Sequence, residues 1–244
     1  MVFPLYSPGN HTLAGLCNGN QYPPWAVPFF QEVHIKDLGK DQLQQEKQMT
    51  SKPIHIAIFA SGAGSNARRI IEYFKEDPAV KISLVVCNKP GAGVLQVASD
   101  HHIPAVLIER ERFFRGDGYL PDLEKHRVDL LVLAGFLWKV PEKIIRAYPG
   151  KIINIHPALL PAYGGKGMYG HHVHEAVLAN REPLSGITIH YVDEHYDHGD
   201  TIFQATCKVE ENDTVESLSQ KIHQLEHAHY PEVIAGIIKK QKPR

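Results

Sequence analysis

Three short stretches of this chain bring together residue types that can do chemistry. The first is Asn154-Ile155-His156-Pro157, at the end of the apolar run KIINIH. If that run is a strand, its two-residue period puts Asn154 and His156 on one face and Ile155 on the other. An amide that donates to a developing oxyanion, beside an imidazole that handles a proton near neutral pH, suits acyl transfer to an amine. A lone histidine at a strand end is more often structural, but here an Asn shares its face and a Pro stops the strand. The second stretch is Ser61-Gly62-Ala63-Gly64-Ser65-Asn66-Ala67, directly after the apolar run Ile54–Ala60. Glycines permit a tight turn and a close backbone approach to an anion. A helix starting there adds unpaired N–H donors and a positive dipole end. Ser65 or Asn66 can cap that helix and also donate to a phosphate. The third is the polar run from Val192 to Asp200, VDEHYDHGD, after another apolar segment. A carboxylate from it placed beside His156 would favour the imidazolium and raise its pKa. A solvated hairpin loop is the plain alternative.

The glycine loop also has the spacing of a dinucleotide fingerprint at Gly62, Gly64 and Ala67. That fingerprint needs an acid at the end of the second strand for the ribose hydroxyls. Here the strand ends Val86-Cys87-Asn88-Lys89, and no Gly-Lys-Ser/Thr follows the loop. A dinucleotide-dependent oxidoreductase fails on the missing acid, and the loop fits a single phosphate better. A tight strand-to-helix turn with no ligand is the competing reading.

These residues need a scaffold, and the rest of the chain spells one out. From Ile54 onward, short apolar runs rich in β-branched residues (VKISLVVCN, IPAVLIE, VDLLVLAGF, KIINIH) alternate with helical stretches. The helical stretches are SNARRIIEYFKED, GVLQVASDHH, GYLPDLEKH and PEKIIRAY. Such alternation predicts an α/β fold with a doubly wound, mostly parallel central sheet and helices on both faces. After His156 the rhythm changes. A Gly-rich loop leads to a helix near HEAVLAN, then GITIHYV and TIFQATCKV read as an antiparallel C-terminal strand pair. A long final helix carries Leu218, Ile222 and Leu225 on one face and is expected to break near Pro231. Asn154 and His156 then lie at the carboxyl end of a parallel strand, where open α/β sheets bind ligands.

Residues 1–52 differ in character. They are rich in Pro, Gly and Asn and show neither helical nor strand periodicity. They are expected to be an irregular, disordered extension, with Met49 as the biological start; a short functional extension is the alternative. Residues 53–244 are expected to form one domain. A formal net charge of −1 leaves no electrostatic footprint for nucleic acid. No run of 18 apolar residues offers a membrane span. Three widely spaced cysteines (Cys17, Cys87, Cys207) fit a reducing compartment, and the cytoplasm is expected.

Sixteen histidines are many for this length, and His171, His172 and His174 lie close together. Three histidines leading into a helix do not converge on one point without help, so no metal site is expected. Solvated loop and helix-cap roles are the reading for these three. His190, on a strand beside the expected pocket, is either a partner of the site or a satisfied core histidine.

Taken in order, IAIFASGAGSN, VDLLVLAGFLWKVP, INIHPALLP, GITIHYVDEHYDHGD and QLEHAHYP closely resemble the glycinamide ribonucleotide formyltransferases. These belong to the wider family of folate-dependent formyltransferases. The similarity runs over about residues 54–235. Asn-x-His-Pro with a downstream Asp-x-Gly element is shared across the wider family, whereas the Ser-Gly-x-Gly-Ser-Asn loop points to glycinamide ribonucleotide. The resemblance implies that Gly64, Ser65 and Asn66 bind the substrate phosphate and that His223 and Glu226 face the ribonucleotide. It implies that Asn154 polarises the formyl oxygen, His156 acts as general acid or base, and Asp197 raises the pKa of His156. Folate contacts are implied for Leu137, Trp138, Lys139 and Val140, for Asp193, Glu194, His195, Tyr196 and Asp197, and for Asn154. The basic residue at the folate tail is assigned to Arg115 on a loose local match. The co-substrate implied is 10-formyltetrahydrofolate, attacked directly by the glycinamide amine without a metal, and the chain is expected as a monomer or weak homodimer.

Two departures stand out. Ala158 occupies a position where Ser is common, and Tyr163 to His174 is longer than in the short bacterial pattern. The rivals are a formyltetrahydrofolate hydrolase and a methionyl-tRNA formyltransferase, both without the Ser-Gly-x-Gly-Ser-Asn loop. A binding protein without catalysis is the rival from another class, and it would need no Asn154, His156 and Asp197 set.

Overall fold

A computed structural model describes residues 52–241. The extension expected over residues 1–52, with its start at Met49, lies outside the described residues up to residue 51. Seven strands form one sheet: β1 Ile54–Ala60, β2 Val80–Cys87, β3 Ala105–Leu107, β4 Leu130–Leu133, β5 Ile152–His156, β6 Leu184–Tyr191 and β7 Thr201–Lys208. Their order is β3-β2-β1-β4-β5-β6-β7. The first five are mutually parallel, while β6 runs antiparallel to β5 and β7 antiparallel to β6.

Among the described residues, seven helices flank the sheet: α1 Ser65–Phe74, α2 Gly93–Asp100, α3 Arg110–Phe114, α4 Leu120–Lys125, α5 Glu142–Ala147, α6 His171–Ala179 and α7 Val215–Gln241. The two-residue period of the strands divides the core. Ile56, Ile58 and Ala60 of β1 face a layer built from α1, α2, α6 and α7. Ala57 and Phe59 face the opposite layer, with Phe113, Leu123 and Ile144 of α3, α4 and α5. Both faces of the central strands are therefore covered, which is why these strands read as unbroken apolar runs.

Several boundaries differ from the sequence reading. The run IPAVLIE contributes only three residues to β3, at the sheet's edge, where it pairs with β2 alone. The five-residue helix α3 was not anticipated, being too short to show a helical period. Helix α6 starts at His171, so His171, His172 and His174 occupy its first turn and not the loop before it.

The expected break near Pro231 is absent: α7 is continuous over 27 residues with Pro231 inside. Proline removes the donor that would normally reach the carbonyl four residues back. That carbonyl belongs to His227, and the Arg69 guanidinium of α1 donates to it through Nε at 3.4 Å. Packing against α1 and the sheet accompanies the continuation of the helix through the proline.

Next to it, Tyr230 is fully buried, and its hydroxyl donates to the Leu133 carbonyl at 3.0 Å, with the Ile153 carbonyl at 3.3 Å. This pins α7 across the ends of β4 and β5, one residue from Asn154. Tyr230→Phe deletes that donor and keeps the ring. Chemical denaturation should show a loss of about 1–3 kcal/mol, with secondary structure unchanged.

Candidate active site

The carboxyl ends of β1, β4 and β5 open together onto a cleft of about 690 Å³. Its centre is the end of β5. Asn154 and His156, two residues apart on the strand, both line the cleft. Asp197 reaches the same point from the loop between β6 and β7, with a left-handed backbone of φ +55°. Its Oδ2 lies 3.8 Å from His156 Nδ1, and its Oδ1 lies 3.7 Å from His190 Nε2. The Gly165 backbone N–H donates to Oδ2 at 2.8 Å and fixes the carboxylate between the two rings. The three residues singled out as catalytic are thus brought together.

His190 fulfils the partner reading. It sits directly opposite Asn154 in the antiparallel β5–β6 register. Its Nδ1 donates to the Tyr191 carbonyl at 2.7 Å, which leaves Nε2 as an acceptor for the Asn154 amide at 3.1 Å. Burial, the largest influence, pulls the His190 pKa down and keeps the ring neutral, as that acceptor role demands. The amide of Asn154 is thereby oriented with one N–H spoken for and the other free. His156 is held from its far side, where Nε2 donates to the Tyr163 carbonyl at 2.8 Å.

The glycine loop forms one end of the cleft, with Gly62 through Asn66 in its wall. Gly64 takes a left-handed φ of +82° immediately before α1, and a Cβ there would come within 2.8 Å of the Val94 backbone. Only glycine fits. The capping expected from Ser65 or Asn66 is not made: no side chain caps α1, and no acid stands in its first turn. Asn66 instead turns inward and donates through Nδ2 to Glu226 Oε2 at 2.8 Å. A helix start with uncapped N–H groups and no acid in its own first turn suits an anion.

Beside it, Glu226 and His223 of α7 line the cleft as the resemblance implied. Burial pushes the Glu226 carboxyl up, against the opposing pull of Asn66 and His223. His174 also lines this end, a residue that the sequence reading placed at a solvated helix start. It is buried, with Nδ1 lacking a partner, as is Oδ1 of Asn66. Burial, with His223 and His171 adding to it, pulls the His174 pKa down to about 4. Unpaired buried polar atoms are costly, and a polar ligand would relieve them. The i, i+3 spacing from His174 to the buried Val177 could have exposed its inward position had the helix start been placed correctly.

The opposite end is apolar and aromatic. Phe136 to Val140 line it from the β4–α5 connection, with Asp193, His195 and Tyr196 facing them from the β6–β7 loop. Lys139 Nζ lies over the Tyr196 ring, 5.4 Å from its centre. Ser61 laces this end to the glycine loop: its backbone N–H donates to the Gly135 carbonyl at 3.0 Å, and its Oγ accepts from the Leu137 N–H at 2.9 Å. Two assigned folate contacts are not in the cleft wall. Glu194 is exposed beyond it, and Arg115 is exposed at the end of α3. The guanidinium stacked beside this end belongs to Arg110, 5.1 Å from the Phe114 ring centre and 5.8 Å from that of Trp138. The long loop after β5 also contributes, through Gly165 to Gly170.

Among the described residues, the group whose donor atoms approach closely enough for a metal ion is His171, His172 and Glu175, within 4.8 Å of one another. Glu175 supplies the help that the histidines alone lacked. All three are exposed, at the positive end of α6, where the helix dipole opposes a cation.

Residues 54–234 match the family model described as formyl transferase. The chain is 41% identical over 189 residues to a chloroplastic phosphoribosylglycinamide formyltransferase of Arabidopsis thaliana, covering 75% of this chain. It spans 64% of that relative's length. It is 39% identical over 187 residues to a phosphoribosylglycinamide formyltransferase of Bacillus subtilis, covering 75% of this chain and 93% of the other. A solved phosphoribosylglycinamide formyltransferase from Anaplasma phagocytophilum superposes with a TM-score of 0.72 at 34% identity, over 78% of this chain and 88% of that one.

The buried His174 makes a pH test. Its pKa is depressed in the folded state, from 6.5 to about 4, so the folded state resists a proton that the unfolded chain accepts. The stabilisation is present above pH 6.5 and is lost as pH falls through that window. Its size is on the order of 3 kcal/mol. In denaturant titrations at about pH 7 and about pH 4, His174→Leu should lose less stability than the parent by roughly that amount.

Proposed function

The chain belongs to the formyl transferase family, and from the contents of its cleft we propose that it moves the formyl group of 10-formyltetrahydrofolate onto the amine of glycinamide ribonucleotide, in purine biosynthesis. One observation carries this reading. The Asn154, His156 and Asp197 cluster shares one cleft with an uncapped helix start that suits a phosphate and an aromatic wall that suits a pterin.

In this reading the phosphate rests on the backbone N–H groups around Gly64, Ser65 and Asn66, while Glu226, His223 and His174 meet the ribonucleotide's polar groups. The folate lies along Leu137 to Val140 and Asp193 to Asp197. Arg110, not Arg115, is the base nearest the tail. The glycinamide nitrogen adds to the formyl carbon, whose oxygen gathers negative charge as the carbon becomes tetrahedral. The free N–H of Asn154 donates to that oxygen. His156 exchanges a proton with the adduct, and the Asp197 carboxylate beside it attracts the charge on the imidazolium. The amine nitrogen gives up a proton, N10 of the folate gains one, and cleavage of the bond from the formyl carbon to N10 completes the transfer. No step calls for a metal or a covalent enzyme intermediate.

Among the described residues, no helix is long and apolar enough to cross a membrane. The cytoplasm is the compartment we propose from the cysteine usage, although the Arabidopsis relative is chloroplastic by name.

Mixing the protein with glycinamide ribonucleotide and a 10-formyl folate should give deformylation, followed by absorbance, that depends on the ribonucleotide. His156→Ala should lose about 10²–10⁴-fold in rate while remaining folded. Formate release without the ribonucleotide would overturn this assignment in favour of a hydrolase.

A further inference from the structure

We propose that Tyr163, outside the cleft wall, is a positioning residue that fixes which nitrogen of His156 exchanges the proton. The inference rests on the reading of His156 as the proton-handling group. His156 Nε2 donates to the Tyr163 carbonyl at 2.8 Å. With that nitrogen committed, the neutral ring carries its hydrogen on Nε2, and Nδ1, facing Asp197, is left to take and return the proton. The direction of the Tyr163 carbonyl therefore sets the tautomer.

That carbonyl is not placed by regular structure. Tyr163 sits in the left-handed region, φ +56°, which a residue with a side chain rarely adopts. What holds it there is its own phenol. The hydroxyl donates to Glu182 Oε1 at 2.7 Å and accepts from Asn180 Nδ2 at 2.9 Å, both residues just beyond the end of α6. Two residues further along, Gly165 donates to Asp197. The segment from Tyr163 to Gly165 thus grips both His156 and Asp197, and the phenol pegs that segment to the body of the protein. His190 is the other titratable ring against Asp197, and its bonds go to Asn154 and Tyr191, not to this segment.

The test is the ring nitrogen NMR of His156 in the free protein, together with steady-state kinetics. In the parent, neutral His156 should be the Nε2–H tautomer. Tyr163→Phe, which removes only the hydroxyl, should give mixed tautomers, with kcat down roughly 10- to 100-fold and KM for the ribonucleotide within about threefold. Glu182→Ala should reproduce this with the tyrosine intact, and it carries the test if the phenylalanine variant does not fold. Glu182→Gln keeps an acceptor oxygen for the phenol and should keep the parent tautomer. Parent-like tautomer and kcat in Tyr163→Phe or in Glu182→Ala would overturn the proposal. Because the tautomer is read without substrate, a parent protein inactive on glycinamide ribonucleotide would sink the functional reading and leave this result to stand or fall alone.

Discussion

A single carboxylate, that of Asp197, lies between two histidine rings at the point where three strands end, and the neighbouring architecture is arranged around that fact. A charge in a largely enclosed place must be paired or hydrogen-bonded. Here a backbone N–H from one loop supplies a bond, a left-handed turn in another presents the side chain, and burial keeps one of the two rings neutral. The neutral ring orients an amide, and the second ring is held by the Tyr163 carbonyl. The division of labour between His156 and His190 follows from their surroundings, not from their chemistry, which is the same.

The cleft has two ends of different physics. At the glycine loop it offers uncapped N–H groups and buried polar atoms without partners, a surface that gains from a polar, anionic guest. At the aromatic end it offers ring faces and apolar stems. Neither end is continuous in sequence: α1, α6 and α7 meet at one, the β4–α5 and β6–β7 connections at the other. Ser61 joins them through two hydrogen bonds, so the anion-facing turn and the aromatic wall share a rigid base.

Much of this could be read from the chain itself, for physical reasons. Strands covered on both faces leave long apolar runs, and a strand's strict period gives the side on which Asn154 and His156 emerge. The Gly-rich turn after β1 shows because only glycine tolerates the backbone at Gly64. What the sequence hid depends on contacts between distant segments. The inward turn of Asn66 needs Glu226, from α7, to explain it. The burial of His174 depends on where α6 begins. The continuous passage of α7 through Pro231 is supported by Arg69, which is far away in the chain. Arg110 opens the short α3 beside Phe114 and Trp138 while Arg115 is exposed at its end, and five residues are too few for a period to show.

The antiparallel pairing of β5 with β6 has a consequence for how such a protein can diverge. Asn154 faces His190 because the two strands pair residue by residue, so the alignment survives whatever length of chain connects them. The stretch after Gly165 can gain residues as a bulge at the rim without disturbing the partners below. A single residue added or removed inside either strand would instead reverse the sidedness of every position beyond it. Tolerance for insertion is thus concentrated in the connection, and the ladder itself is closed to it.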